Sequence, residues 1–431
     1  MAQLKERENQ TIKEKIYETV VPPGLETYIL PKQGYSKKYA VFSTKFGSID
    51  SSFQAGDERV DVPDGVAHFL EHKLFESETD NAFDRFAELG ASSNAYTSFT
   101  QTSYLFSCTE NFKDNLELLL DFVQEPFFNQ ETVEKEKGII EQEIRMYEDH
   151  PQWRIFFSML EALYRHHPVR KDIAGTVESI WKITPETLYQ CYRTFYHPRN
   201  MGLFVVGDVS PEEVEEQVRA NLERKHHPQW EGIKRFYPEE PPEINQSRVE
   251  HKMVVSEPIL GVGFKDVLPS PLEGEDLFRR EIVTELLLEI IFANSEPLFN
   301  RLYEEGLVDE GFDAGYTAEP TYAYTFLGGE TRDPDLLYEK IIDGIRDLGK
   351  QGISGEQVER HRRKMLGEYM RRFNSLEFIA NNFLAYRFKN IDFFSFPRVL
   401  QEITPEEVRE RLDEHFDLDR HAVSVIYPGE G

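Results

Sequence analysis

The tetrapeptide Ile183-Thr184-Pro185-Glu186 recurs as Ile403-Thr404-Pro405-Glu406, 220 residues further on. In each copy the pattern predicts a helix opened by a threonine cap, with proline at the first helical position, where no N–H partner is needed. An apolar run follows each copy, Leu203-Phe204-Val205-Val206-Gly207 and Val423-Ser424-Val425-Ile426-Tyr427, and both read as buried strands. A second echo pairs Glu131-Thr132-Val133-Glu134-Lys135 with Glu356-Gln357-Val358-Glu359-Arg360, an offset of 225. Two echoes at nearly equal offset argue for a duplicated domain. Between the copies, 225–245 carries four prolines and no periodicity, as a linker does. The expected layout is a first domain at 1–225, a linker at 226–245 and a related domain at 246–431. A chain of 431 residues suits two such units.

Helical and strand periods alternate throughout, which predicts a chain of mixed α and β structure. Strands are expected at 39–46 and 96–108, and helices at 115–122 and 131–148. Hydrophobic residues at 39% and aromatics at 13% exclude wholesale disorder. Lys and Arg number 49 against 78 Asp and Glu, a net charge of −29 that repels phosphate backbones and anionic lipid. Nucleic acid and membrane are therefore not expected partners; a cationic or basic peptide is compatible. Cys108 and Cys191 are the only cysteines, too few for a disulfide framework or a thiolate metal cluster. Residues 1–18 are polar, and no window approaches eighteen uninterrupted apolar residues. The expectation is a soluble protein of a reducing compartment, most simply the cytoplasm.

His68-Phe69-Leu70-Glu71-His72 carries the chemistry. It lies in Gly65 to Glu76 (GVAHFLEHKLFE), which has helix-forming content. Residues four apart share a helix face, so both imidazoles reach one ion, and the Glu71 carboxylate projects beside it. Two imidazoles and an adjacent acid suit zinc, the acid serving as general base toward a polarised water. With 12 His and 78 acids, chance supplies roughly 0.06 matches to His-x-x-acid-His, so the pattern is informative. Three protein ligands need one more donor. In 131–148, Glu136 and Glu143 lie two turns apart on one face with Ile140, and Ile139 and Met146 nearby suggest a partly buried stripe. A carboxylate on a buried face needs a partner. Glu143 is the expected third ligand, and Glu136 the acceptor that orients a histidine or a water. The pairs His166-His167 and His226-His227 precede prolines and read as loop histidines.

GVAHFLEHKLFE, followed about seventy residues later by EKEKGIIEQE, resembles the pitrilysin (insulinase) family of metallopeptidases, which includes mitochondrial processing peptidase. The resemblance continues through Gly175-Thr176-Val177-Glu178-Ser179-Ile180 and His197-Pro198-Arg199-Asn200-Met201 to Val206-Gly207-Asp208, and more faintly into the second half. It implies zinc held by His68, His72 and Glu143, water activated by Glu71, and a further acid at Glu136. It also implies an α+β fold of two homologous domains, each an antiparallel-rich sheet with packed helices, forming half of a clamshell around a chamber. Substrate peptide would add as a strand beside 90–97, where Asn94 and Ala95 are the implied contacts; Asn94 also reads as a turn residue opening that strand.

The second copy lacks the motif. Adding 225 to His68 and His72 gives Ala293 and Pro297, while Glu368 stands opposite Glu143 without histidines. The second domain is thus expected to be inactive scaffold and chamber wall. Active relatives place Arg and, seven residues on, Tyr in the opposing half; here Tyr303 and Glu310 occupy those places, with Arg301, Tyr316 and Tyr322 as candidate substitutes. The resemblance therefore implies a second subunit, a homologue lacking the zinc motif or a second copy, that supplies the missing pair. The expected function is a zinc endopeptidase subunit acting on unstructured peptides. The alternative is a non-catalytic structural or peptide-binding and maturation subunit of the same fold.

Overall fold

A computed structural model describes residues 4–9, 12–77, 81–269 and 272–429. The chain forms two compact units. One comprises Met1–Ile144, Asp172–Tyr237 and Arg372–Phe388; the other comprises Arg145–Lys171, Pro238–Arg371 and Lys389–Gly431.

The first unit holds β1 (Lys5–Asn9), β2 (Glu14–Val21), β3 (Leu25–Pro31), β4 (Lys38–Thr44), the ribbon β5 (Ser52–Ala55) and β6 (Glu58–Asp61), β7 (Ser92–Thr97), β8 (Thr102–Cys108) and β9 (Met201–Gly207). Seven of these form one sheet in the order β1-β2-β3-β9-β4-β8-β7. Among its described residues only β3 and β9 pair in parallel. The second unit holds β10 (Arg248–Met253), β11 (Ile259–Asp266), β12 (Asp313–Glu319), β13 (Tyr322–Glu330) and β14 (His421–Pro428), in the order β10-β14-β11-β13-β12. Its parallel pair is β10 with β14. The order β3-β9-β4-β8-β7 thus repeats as β10-β14-β11-β13-β12, with the parallel pair in the same place. The duplication read from two short echoes is a duplication of topology. Thr184 and Thr404 cap the helices Pro185–Phe195 and Pro405–His415 that lead into β9 and β14.

Helices α1 (Val66–Leu74), α2 (Ala82–Glu88), α3 (Phe112–Gln124) and α4 (Gln130–Glu148) precede α5 (Pro151–Leu163). Each unit is completed by a helix from the other half of the sequence, which contiguous domains at 1–225 and 246–431 do not describe. Helix α5 packs on β10, β11 and β14, where Ile155 joins Ile259 and Ile426 in an apolar cluster. A side chain at Gly263 in β11 would stand 2.5 Å from Met159 Sδ and 2.8 Å from Leu163 Cδ1, so glycine lets α5 sit on the strand. Reciprocally, the helix Leu376–Phe388 packs on β4 and β9, and Tyr28 in β3 meets Phe383 with centroids 4.7 Å apart. The chain changes unit at five places, one of them at Tyr237 and Pro238 in the segment 224–247, which has no helix and only an isolated bridge from Arg235 to Phe53.

The stretch 96–108, expected as one strand, is instead a hairpin. Ser98 Oγ accepts from the backbone N–H groups of Thr100 and Gln101, and the Ser98 N–H donates to Gln101 O. That local bonding turns the chain between β7 and β8.

Two buried histidines are expected to make the second unit acid-sensitive. His167 accepts from Val169 N–H at Nδ1 and faces Thr321 Oγ1 at 3.1 Å through Nε2. His415 accepts from Arg411 at Nδ1 and faces Thr325 Oγ1 through Nε2. Both are held neutral, burial pulling His167 down to about 4 and His415 to about 3. Between those values and the unfolded value of about 6.5, the unfolded chain binds protons that the folded chain refuses. Stability is therefore full above pH ~6.5 and falls on acidification, by up to about 1.4 kcal/mol per pH unit for each histidine. Urea midpoints between pH 7 and 4.5 are expected to fall more steeply for the parent than for His167→Gln; parallel slopes would remove His167 from the explanation.

Candidate metal centre

Helix α1 begins abruptly. Gly65 caps it with φ of 87°, and a side chain there would lie 2.3 Å from Ala174 O, so only glycine lets the segment 172–175 close over the helix start. Val66, Phe69, Leu70 and Leu74 are buried in the core of the first unit, and His68 and Glu71 are buried beside them. His72, one turn after His68, is half-buried. On α4 the buried residues are Val133, Glu136, Lys137, Ile140 and Ile144, whereas Ile139 and Met146 are exposed. The buried stripe is real but runs through Ile140 and Ile144, leaving out Ile139 and Met146. Glu143 is half-buried at its edge.

These two helices bring the expected ligands together. His68 Nε2 lies 3.7 Å from Glu143 Oε1, and His72 Nε2 lies 3.5 Å from Glu143 Oε2. One donor atom from each of His68, His72 and Glu143 falls within 4.8 Å of the others. Both of the shorter separations exceed hydrogen-bond distance. They approach the ~3.3–3.4 Å that separates donor atoms around a tetrahedral zinc with bonds of about 2.0–2.1 Å. The donor set, two imidazole nitrogens and a carboxylate oxygen, fits zinc.

The surroundings prepare those donors. His72 Nδ1 lies 3.0 Å from Glu136 Oε1, so Nδ1–H donates to the buried carboxylate and Nε2 is left facing Glu143. Burial opposes a charge on His72, but the Glu136 hydrogen bond and the carboxylates of Glu71, Glu136 and Glu143 outweigh it and raise its pKa. Burial, and then His72, pull His68 down to about 3 and hold it neutral, and among the described residues its Nδ1 has no hydrogen-bond partner. Burial raises Glu71, against a hydrogen bond of 2.6 Å that Thr97 Oγ1 donates to Glu71 Oε2.

The other expected residues occupy varied places. Asn94 is exposed and Ala95 half-buried, both within β7, an outer strand of the seven-stranded sheet. Asn94 is inside the strand and not in a turn; its Oδ1 accepts from its neighbour Ala95 N–H. Thr97 was missed because β7 was not separated from its hairpin partner. Its signal was the period of two, which puts Thr97 on the same face as Ala95. In the second unit, Ala293 ends the helix Gly274–Phe292 and Pro297 opens the next, so the segment matching α1 is interrupted. Glu368 is half-buried, 4.0 Å from Lys364. Tyr303 is exposed, while Tyr322 is buried and Tyr316 is buried with its hydroxyl donated to Asp266 at 2.5 Å.

Comparison with known proteins gives the family. Residues 53–177 match the family model "Insulinase (Peptidase family M16)", and residues 182–365 match "Peptidase M16 inactive domain". The chain is 46% identical over 427 residues, 99% of each chain, to a Bacillus subtilis protein named uncharacterized zinc protease YmfH. A solved structure from Alicyclobacillus acidocaldarius, described as an M16-like peptidase, matches with a TM-score of 0.93 and 37% identity over 99% of both chains. Pitrilysin shares the fold at a TM-score of 0.77 and 16% identity, with all of this chain covering 47% of pitrilysin. The chain belongs to the insulinase family, peptidase family M16.

Proposed function

We propose that the chain is the metal-bearing subunit of a zinc endopeptidase that hydrolyses unstructured peptides. The observation that carries this is the convergence of His68, His72 and Glu143 at near-ligand separations, with Glu71 on the same helix as the two histidines. The names of the relatives, zinc protease and M16-like peptidase, support it. Zinc held by those three side chains would polarise a water and the scissile carbonyl. Glu71 then takes the proton from water through a carboxylate whose buried setting favours proton uptake, and passes it to the leaving amine. Glu136 keeps Nε2 of His72 free to ligate by holding its Nδ1–H. The outer strand β7 has a neighbouring strand on one side among the described residues, which leaves its other edge for an extended peptide, with Asn94 and Ala95 beside it.

The opposing wall is assigned to a second subunit, a homologue without the zinc motif or another copy. This chain spans about half of pitrilysin, and no Arg and Tyr stand seven apart in the 301–310 stretch of the second unit. We place the protein in the cytoplasm: Cys108 and Cys191 are buried free thiols, and no helix among the described residues is long and apolar enough to cross a membrane. A quenched, unstructured peptide tests the reading. Hydrolysis is expected to rise when the homologous subunit is added, to stop with a zinc chelator and to return with zinc. Hydrolysis indifferent to the chelator would exclude the metal mechanism. Full activity of the purified chain alone would remove the need for a different partner.

A further inference from the structure

A general base must present one oxygen to water in a fixed direction, and a glutamate has three rotatable bonds with which to miss. Among the described residues the Glu71 carboxylate accepts one side-chain hydrogen bond, from Thr97 Oγ1 to Oε2 at 2.6 Å. The short distance is that of a hydroxyl donating to an ionised acceptor. We infer that Thr97 is a positioning residue, which holds Oε2 of Glu71 and so leaves Oε1 as the oxygen that takes the proton. This rests on the peptidase reading above.

Thr97 can do this because its own place is fixed from three sides. It ends β7 opposite Thr102 in β8, and Thr102 Oγ1 donates to Phe46 O at 2.9 Å. The hairpin turn that follows is clamped by the neighbouring loop, Ser48 N–H donating to Ser98 O and Ile49 N–H to Phe99 O. That loop is held in turn by Asp50, which accepts from Gly47 N–H, Arg235 and Tyr237. With the Thr102 proton given to Phe46 O, Thr102 has none to donate to Thr97. Of the two acceptors within reach of the Thr97 hydroxyl, Glu71 Oε2 at 2.6 Å is much nearer than Thr102 Oγ1 at 3.3 Å. Strand β7 therefore serves two ends: its outer edge is where an extended peptide would add, and its last residue fixes the base.

Thr97→Val keeps the shape and removes the hydroxyl; Thr97→Ser restores the hydroxyl and removes a methyl. For Thr97→Val we expect kcat to fall by about 10–100-fold, with KM within about twofold, zinc content and Tm unchanged, as for one charge-assisted hydrogen bond lost from an otherwise intact site. Thr97→Ser is expected to recover kcat to within about threefold of the parent. High-resolution crystal structures of the parent and Thr97→Val give a reading that needs no activity: one ordered Glu71 carboxylate in the parent, several rotamers in the variant. An equally ordered Glu71 in Thr97→Val, a serine variant as damaged as the valine one, or a loss confined to KM or zinc would overturn the assignment. A parent inert toward every peptide overturns the peptidase reading alone, since the crystal comparison still decides what Thr97 does.

Discussion

Replacing Glu71 with glutamine is expected to lower kcat/KM for a quenched peptide by about 10²–10⁴-fold and to leave one zinc per chain. The two halves of that result have separate causes. The glutamine side chain has nearly the same volume and the same rotamers, and the donors that would face the ion, His68, His72 and Glu143, sit elsewhere. What vanishes is a site for a proton. In the parent that site is buried beside the core of the first unit, which raises its affinity for protons against the Thr97 hydrogen bond. An amide in the same place cannot take the proton, whatever its position. Steady-state kinetics and elemental analysis on one sample check both halves. A variant that hydrolyses at the parental rate would remove Glu71 as base, and one that loses zinc would move it among the ligands.

Replacing Glu143 with alanine is expected to strip the metal. Two imidazoles from α1 remain, but the carboxylate from α4 that faces both at 3.5 and 3.7 Å is gone, and two-point attachment is too weak to survive dialysis against a chelator. Zinc content is expected to fall from near one per chain to near zero, and hydrolysis with it. Glu136→Gln makes an informative companion. Glu136 touches His72 Nδ1, whereas Glu143 faces the Nε2 of that ring, so its loss is expected to weaken zinc about 10–100-fold without abolishing the site. Thermal denaturation reports the same order independently. At free zinc 100 times the dissociation constant, binding adds about 2.7 kcal/mol to the parent, and Glu143→Ala is expected to gain nothing. Zinc retained by Glu143→Ala at parental affinity would show that the third ligand lies elsewhere.

Much of the candidate site's arrangement was legible because its information is local. The helix period alone puts His68 and His72 on one face, and the two-turn interval on α4 does the same for Glu136 and Glu143. What joins the two helices is tertiary, and there the sequence supplied only the need of buried acids for a partner. The same limit explains the misplaced stripe: Ile139 and Ile140 are adjacent, and nothing local says which faces inward. Thr97 lies 26 residues from Glu71 in an edge hairpin, so its hydrogen bond has no signature beyond alternation along β7. The fold was legible as a duplication, since the cap-and-proline starts of two helices are local chemistry repeated. Which sheet each helix packs on was not. The apolar content of α5 and of Leu376–Phe388 calls for burial, but either sheet offers an apolar surface. Gly263 in β11 carries the missing information, because a strand glycine beneath Met159 and Leu163 marks where α5 lies.

Diffraction from crystals of the zinc-loaded chain, recorded on both sides of the zinc absorption edge, tests the metal assignment most directly. One anomalous peak is expected about 2.0–2.2 Å from the Nε2 atoms of His68 and His72 and from a carboxylate oxygen of Glu143. A peak coordinated by other side chains, or no peak between α1 and α4 at saturating zinc, would contradict it.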